Sequence, residues 1–344
     1  RNLLDQKEIG QGISGHPLAG SGLLQRSIVR TTQRNSSKLT EWDGDLSGIA
    51  ATSDVFGPTD GSVFSPTRLE RWARCPFSYF LGNILKITTV EKPEDILSIT
   101  PRDRGNLIHS VLEEFFNIVM ADGEMPDSNQ SWSDEHVELL MEVAEKAFDE
   151  AEKSGLTGRR LLWRIEKENI VSSLREFLYQ DALFREKYCV SPLTVEAKFG
   201  FEDDSWDAVT VDLPDGRTAR FRGKIDRVDV DSVGKRILVI DYKTGSTSPY
   251  SGMNRDHLDK ARRLQLPVYS LAAMKKFGSD YKVEAAYWFV TDGARLTLRP
   301  SQLVQLDEIS DHFIDVVSSI TRDITSGLFP ANPGERGYLS KPQN

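Results

Sequence analysis

Cysteine is scarce in this 344-residue chain, which holds only Cys75 and Cys189, and that scarcity excludes a fold stapled by disulfides. No Gly-x-x-x-x-Gly-Lys-Ser/Thr segment is present, so the chain carries no Walker-type phosphate loop. No uninterrupted apolar run approaches the roughly 20 residues that cross a bilayer, and no charged-then-apolar leader opens the sequence. A cytoplasmic protein with no membrane partner is the expectation. Positive charge is also in deficit: 43 Lys and Arg stand against 52 Asp and Glu, a net charge of −9. What remains, 39% hydrophobic and 28% charged residues, is the composition of a globular chain that can bury one large core or two ordinary ones. The sequence starts at Arg1, without an initiator methionine, as expected of a fragment or a processed product.

Three regions follow from periodicity. Residues 1–61 are rich in Gly, Ser and Thr with little pattern, and read as an irregular N-terminal arm in which Trp42 is the expected anchor. Residues 62–192 read as a helical subdomain. Ser65 followed by Pro66 opens a helix expected to turn Leu69, Trp72, Ala73 and Phe77 inward and to end near Leu85. Further helices are expected around His109 (107–120), over 134–153 and over 160–185, the last two as a helical wall whose apolar residues recur at three-and-four spacing. Residues 193–344 alternate into strands at 195–201, 208–213, 219–231 and 236–243, read as a meander, then a helix over 262–277, a strand over 282–291 and a closing helix over 301–326. A helix returning a strand to the same sheet implies a crossover connection.

The chemistry concentrates at two strand ends. Asp241-Tyr242-Lys243-Thr244-Gly245 closes the apolar run 236–240, one hairpin after Gly223-Lys224-Ile225-Asp226-Arg227-Val228-Asp229. Residues two apart on a strand share a face, so Asp241 and Lys243 are delivered together, and an antiparallel hairpin brings Asp226 to the same place. Carboxylates suit hard cations such as magnesium or manganese. Such a cation lowers the pKa of bound water and neutralises a phosphoryl oxygen, while a lysine meets developing negative charge. The competing reading is an exposed surface ion pair, worth little. His109 lies in an apolar helix and is open to two readings, a satisfied core histidine or a metal ligand. Gln265 and Tyr269 share a helix face and fit either ordinary packing or orientation of a neighbouring group. Glu196 falls on the strand before the Asp226 hairpin, where solvent-facing alternation and an approach to the cation through water both account for it.

Five ordered pieces together carry a resemblance: Ser65-Pro66-Thr67-Arg68-Leu69-Glu70 running into Cys75-Pro76-Phe77-Ser78-Tyr79-Phe80; Arg104-Gly105-Asn106-Leu107-Ile108-His109; the strand 223–229; residues 241–245; and Gln265-Leu266-Pro267-Val268-Tyr269. Over about residues 62–330 the chain resembles the RecB-like branch of the PD-(D/E)XK nuclease superfamily, the exonuclease domain of RecB, AddA and AddB proteins. The resemblance implies an α/β, restriction-endonuclease-like αβββαβ core with a mixed sheet, preceded by the helical subdomain. It makes His109, Asp226 and Asp241 metal ligands with the Tyr242 carbonyl beside them, Lys243 the catalytic lysine, and Gln265 and Tyr269 the Gln-x-x-x-Tyr pair next to the site. Glu196 joins the catalytic set.

The expected activity is Mg2+- or Mn2+-dependent exonucleolytic cleavage of DNA, with single-stranded ends as substrate, in recombination and double-strand-break repair. A helicase motor is expected from a partner or from a missing N-terminal region. The alternative is a non-catalytic DNA-binding or scaffold subunit of such a complex. DNA contacts are assigned to basic residues flanking the site, Arg68, Arg71, Arg104, Arg222, Arg227 and Arg262, because local charge outweighs the net sum; solvated surface charge is the competing reading. Cys75 matches the first position of a four-cysteine iron-sulfur site in AddB-like relatives. A [4Fe-4S] cluster needs four thiolates, so this chain alone cannot hold one, and Cys75 then reads as a small buried hydrophobe.

Overall fold

The computed structural model describes residues 21–48, 62–88, 97–202, 206–231, 233–291, 304–305 and 310–332. Its centre is a five-stranded sheet in the order β2-β5-β6-β7-β8 (Ser191–Phe199, Gly223–Asp231, Arg236–Lys243, Lys282–Phe289, Val304–Gln305). The β2/β5, β5/β6 and β7/β8 pairs are antiparallel and β6/β7 is parallel. Between β6 and β7 the chain passes through helix α6 (Gln265–Phe277), the connection that a parallel pair requires.

Side-chain alternation along β6 divides the molecule. Leu238, Ile240 and Tyr242 face a core built with the helices α3 (Pro101–Ala121), α4 (Asp134–Lys153) and α5 (Arg160–Tyr188). Ile237 and Val239 face the opposite core, with α6, the closing helix α7 (Ser310–Thr325) and the entry helix α2 (Pro66–Arg74). Both faces of the central strands are buried, which is why 237–240 is continuously apolar. No helix among the described residues is long and apolar enough to cross a membrane.

The expected meander is corrected. β3 (Val209–Asp212) and β4 (Thr218–Phe221) leave the main sheet and form a second one with β1 (Val63–Phe64), in the order β1-β4-β3. β2 therefore pairs with β5 across this excursion. The stretch read as one strand, 219–231, changes sheets at Arg222, whose N–H donates to Phe64 O at 3.0 Å. Gly223 sits at that corner because a Cβ there would lie 2.7 Å from the Phe199 ring and 2.9 Å from the Tyr269 ring.

Two further expectations change. The arm contains a helix, α1 (Gly22–Arg34), which buries no residue. Trp42 is 42% exposed and is not the anchor. The attachment is made by backbone: Leu46 N–H donates to Gly327 O and Phe329 N–H to Gly44 O. Gly44 has φ +95° and stands so close to Phe329 O that no Cβ fits, which requires glycine. The entry helix breaks at Cys75 and resumes through Pro76–Tyr79 and the π-helical turn Phe80–Ile84, which Leu85 caps, and Phe77 is 41% exposed instead of buried. The closing helix spans Ser310–Thr325, and residues 301–303 and 306–309 of its expected range lie outside the described residues.

Candidate active site

β5 and β6 pair as far as Arg227↔Ile240 and then part. Past that point Asp226 replaces the missing ladder bond: its Oδ2 accepts the Tyr242 N–H at 2.5 Å. The separation opens a cleft of about 610 Å³ lined by His109, Asp226, Asp241, Lys243, Gln265 and Tyr269, among others. Asp226, Asp241 and Lys243 come from the strand ends, His109 from α3, and Gln265 and Tyr269 from the first turns of α6.

The histidine-bearing half of the cleft is formed by α3. His109 Nδ1 lies 3.4 Å from Asp226 Oδ1. One atom each of His109, Glu196 and Asp226 falls within a 4.8 Å cluster. Glu196 reaches it through an unusual backbone: φ is +52° in the middle of β2, a left-handed conformation that costs a non-glycine residue about 1 kcal/mol or more. It ion-pairs with Lys224, which also lies 3.6 Å from Glu113.

The other half holds the amine. Lys243 Nζ contacts the Asp241 carboxylate and donates to Gln265 Oε1 at 3.2 Å. The Gln265 amide nitrogen donates to Asp241 Oδ1 and to Tyr269 OH, each at 3.3 Å. One glutamine thus ties an acid, an amine and a phenol together. Asp241 Oδ2 is the oxygen that meets Lys243 Nζ.

Burial sets the protonation states. It pushes the Asp241 carboxyl up to about 6 against the pull of Lys243, and nearby Asp226 adds to the rise. Burial disfavours the charged Lys243, but Asp241, Tyr250 and Asp226 outweigh it and raise the amine above its ordinary value. For His109 the same penalty is outweighed by the hydrogen bond and charge of Asp226, so its pKa is raised as well.

The donor set fits a hard divalent cation: one imidazole, with the carboxylates of Glu196, Asp226 and Asp241 lining the same cleft. His109, Glu196 and Asp226 present the atoms close enough together to hold it, and Asp241, expected as a ligand, lies beside them in contact with Lys243. Tyr242 lines the cleft, with its ring in the helical-side core.

The basic residues separate into several kinds. Arg227 is fully buried on the opposite face of β5, where it pairs with Asp181 and Asp229 and stacks over Phe116 at 4.8 Å. Its assignment to DNA contact is therefore corrected: neighbours on a strand point to opposite faces, so presenting Asp226 to the cleft sends Arg227 into the core. Arg104 donates to Thr244 O at 3.1 Å and pairs with Glu166, which holds the loop after β6 against α3 and α5. Arg68 donates to Tyr79 OH at 3.1 Å, Arg71 to Ser78 Oγ at 3.3 Å, and Arg262 to Asp259 at 2.9 Å. Arg222 is exposed, with its guanidinium 5.3 Å from the Phe201 ring centre. Cys75 ends α2, and its Sγ accepts the Asn332 N–H at 3.4 Å; both cysteines are free.

Sequence reading missed Glu70, whose buried carboxylate meets the start of α6. The signal was available, since Glu70 lies on the inward stripe with Pro66 and Ala73 by helical spacing. It also missed Tyr250 in the cleft wall, held by Arg263 3.9 Å from its ring centre.

Comparison with known proteins agrees with this geometry. Residues 63–337 match the model of the PD-(D/E)XK nuclease superfamily, and the chain belongs to that family. Its curated relatives include proteins named as a subunit of an ATP-dependent helicase/deoxyribonuclease. The one from Clostridium perfringens is 30% identical over 198 residues, 53% of this chain and 15% of the relative. Those from a Thermoanaerobacter species and Alkaliphilus oremlandii are 29% and 24% identical over 81% and 80% of this chain, each covering 25% of the relative. The chain thus spans a quarter or less of the length of these relatives.

Proposed function

We propose that the chain is a divalent-metal-dependent deoxyribonuclease module that hydrolyses phosphodiester bonds at single-stranded DNA ends. The observation that carries this reading is the meeting of His109, Asp226, Asp241 and Lys243 in one cleft from two strands and a helix. A bound Mg2+ or Mn2+ would supply Lewis-acid polarisation of a phosphoryl oxygen and a water acidic enough to attack. The protein's own part is orientation. Asp226 is fixed by the Tyr242 N–H, so its other oxygen faces His109. Lys243, held by Asp241 and Gln265, stands ready to hold the attacking water or to meet charge building on the phosphate. Tyr269 limits the movement of Gln265.

The cleft, at about 610 Å³, has the dimensions of a small-ligand pocket, which suits a single strand end better than a duplex. Exposed Arg222 and Arg102 are the basic residues nearest in kind to a phosphate path, and Arg68, Arg71, Arg104 and Arg262 would act on it through the loops they brace. Relatives named as helicase/deoxyribonuclease subunits, together with the lack of a Walker motif in this sequence, support a double-strand-break-processing assembly whose motor lies outside these 344 residues.

The test is incubation with end-labelled single- and double-stranded DNA in magnesium, manganese or chelator. Wild type is expected to shorten single strands only with metal. Asp241→Ala is expected to abolish cleavage with DNA binding retained, and Lys243→Ala to abolish cleavage with Mn2+ binding retained. Unchanged behaviour of Asp241→Ala would favour the scaffold reading.

A further inference from the structure

Helix α6 begins with an anomaly. Its N-cap residue is Leu264, which has no capping side chain, and its first turn has no acid. Leu264 is fully buried in the core, so water cannot satisfy the free N–H groups that every helix start leaves over. A residue 194 positions away does so: Glu70 Oε1 accepts the Leu264 N–H at 2.6 Å and the Gln265 N–H at 3.1 Å. Glu70 comes from α2, is 3% exposed, and turns its second oxygen toward Arg74 at 3.7 Å.

The helix start held in this way is the one that bears Gln265. That side chain reaches Lys243 at 3.2 Å and Asp241 and Tyr269 at 3.3 Å each. Three contacts near the limit of hydrogen-bond length tolerate little movement. A local Ser or Asp cap would satisfy the N–H groups equally well, but it would leave α6 free to shift against the strand ends. A carboxylate fixed on α2 ties the turn to the body of the protein.

Resting on the nuclease reading above, we propose that Glu70 is a positioning residue, whose Oε1 anchors the first turn of α6 and thereby sets Gln265 on Asp241 and Lys243. It touches neither cation nor DNA, and both of its backbone bonds run through one oxygen. A glutamine amide oxygen reproduces that acceptor, whereas alanine does not.

The experiment compares wild type, Glu70→Gln and Glu70→Ala, each kept well below its melting temperature. Steady-state cleavage of single-stranded DNA with Mn2+ is measured beside the Gln265 side-chain amide resonance of the metal-free protein. Glu70→Ala is expected to lower kcat ~10- to 100-fold with KM unchanged, the scale of a small misplacement at a reacting centre, and to shift the Gln265 resonance. Glu70→Gln is expected to keep both near wild type. A folded Glu70→Ala with wild-type kcat and an unmoved Gln265 resonance overturns the proposal. So does an equal loss in both variants, which would assign the effect to charge. If wild type cleaves nothing, the nuclease reading fails, whereas the amide resonance still judges the anchor.

Discussion

Two groups of charged residues lie back to back on the same strands, and they behave as opposites. Behind the sheet, Arg227 bonds Asp229 through two nitrogens and Asp181 through a third. Asp181 also accepts from Trp132 and Arg185, and Arg185 donates to the carbonyls of Pro126, Asp127 and Gln130. All four charged side chains are sealed from water, and among their bonds each has its partners. In front, His109, Asp226, Asp241 and Lys243 lie in an open cleft, with one acid pushed up to about 6. Both groups mix acids with bases. Access from the cleft distinguishes the working site from the structural one, which, being sealed from water, is stable only when fully satisfied.

Single substitutions should split the two groups. Asp226→Asn can still accept the Tyr242 N–H, so it is expected to change unfolding free energy by less than about 1 kcal/mol while lowering metal-dependent cleavage at least ~1,000-fold. Asp181→Ala strands two buried guanidinium groups and is expected to cost about 3–5 kcal/mol in denaturant unfolding, with the Mn2+ affinity of the folded fraction unchanged. A stable Asp181→Ala, or an Asp226→Asn that unfolds, would erase the contrast.

A smaller effect concerns protons. A cation needs Asp241 ionised and His109 neutral, and both groups hold their protons more tightly than usual. Proton and metal therefore compete. Mn2+ affinity is expected to be full only above the raised range of His109 and to fall as pH drops through it and then through Asp241's pKa of about 6, by up to ~10-fold per pH unit for each proton displaced. Calorimetry at several pH values checks this, and an affinity flat from pH 5 to 8 would remove Asp241 and His109 from the ligand set. Smallest is Arg222→Ala, expected to weaken single-stranded DNA binding only a few-fold and to reduce the salt slope by ~0.7. Arg227 substitutions should show no such salt signature in the folded protein.

The same contrast explains what could be read from the sequence. Asp226, Asp241 and Lys243 were legible because period-two alternation fixes their common face, and Gln265 and Tyr269 because a four-residue spacing does so on a helix. Arg227 was misread for lack of the other half of that rule: the face opposite Asp226 is covered by α3 and α5, and coverage is a tertiary fact. The inward place of Glu70 was legible from helical spacing, but its role was not, because its partners are backbone N–H groups, which leave no trace in side-chain spelling. The excursion of β3 and β4 was hidden because strand alternation is the same whichever sheet a strand joins; only Gly223 hinted at the corner.

Asp226 gives one oxygen to a backbone amide and keeps one in hand. A carboxylate committed in this way grips a cation by a single point, which favours small ions with strict six-fold geometry over calcium, whose larger and looser shell often draws on both oxygens of an acid. Discrimination between metals would then begin with the place where two strands stop pairing.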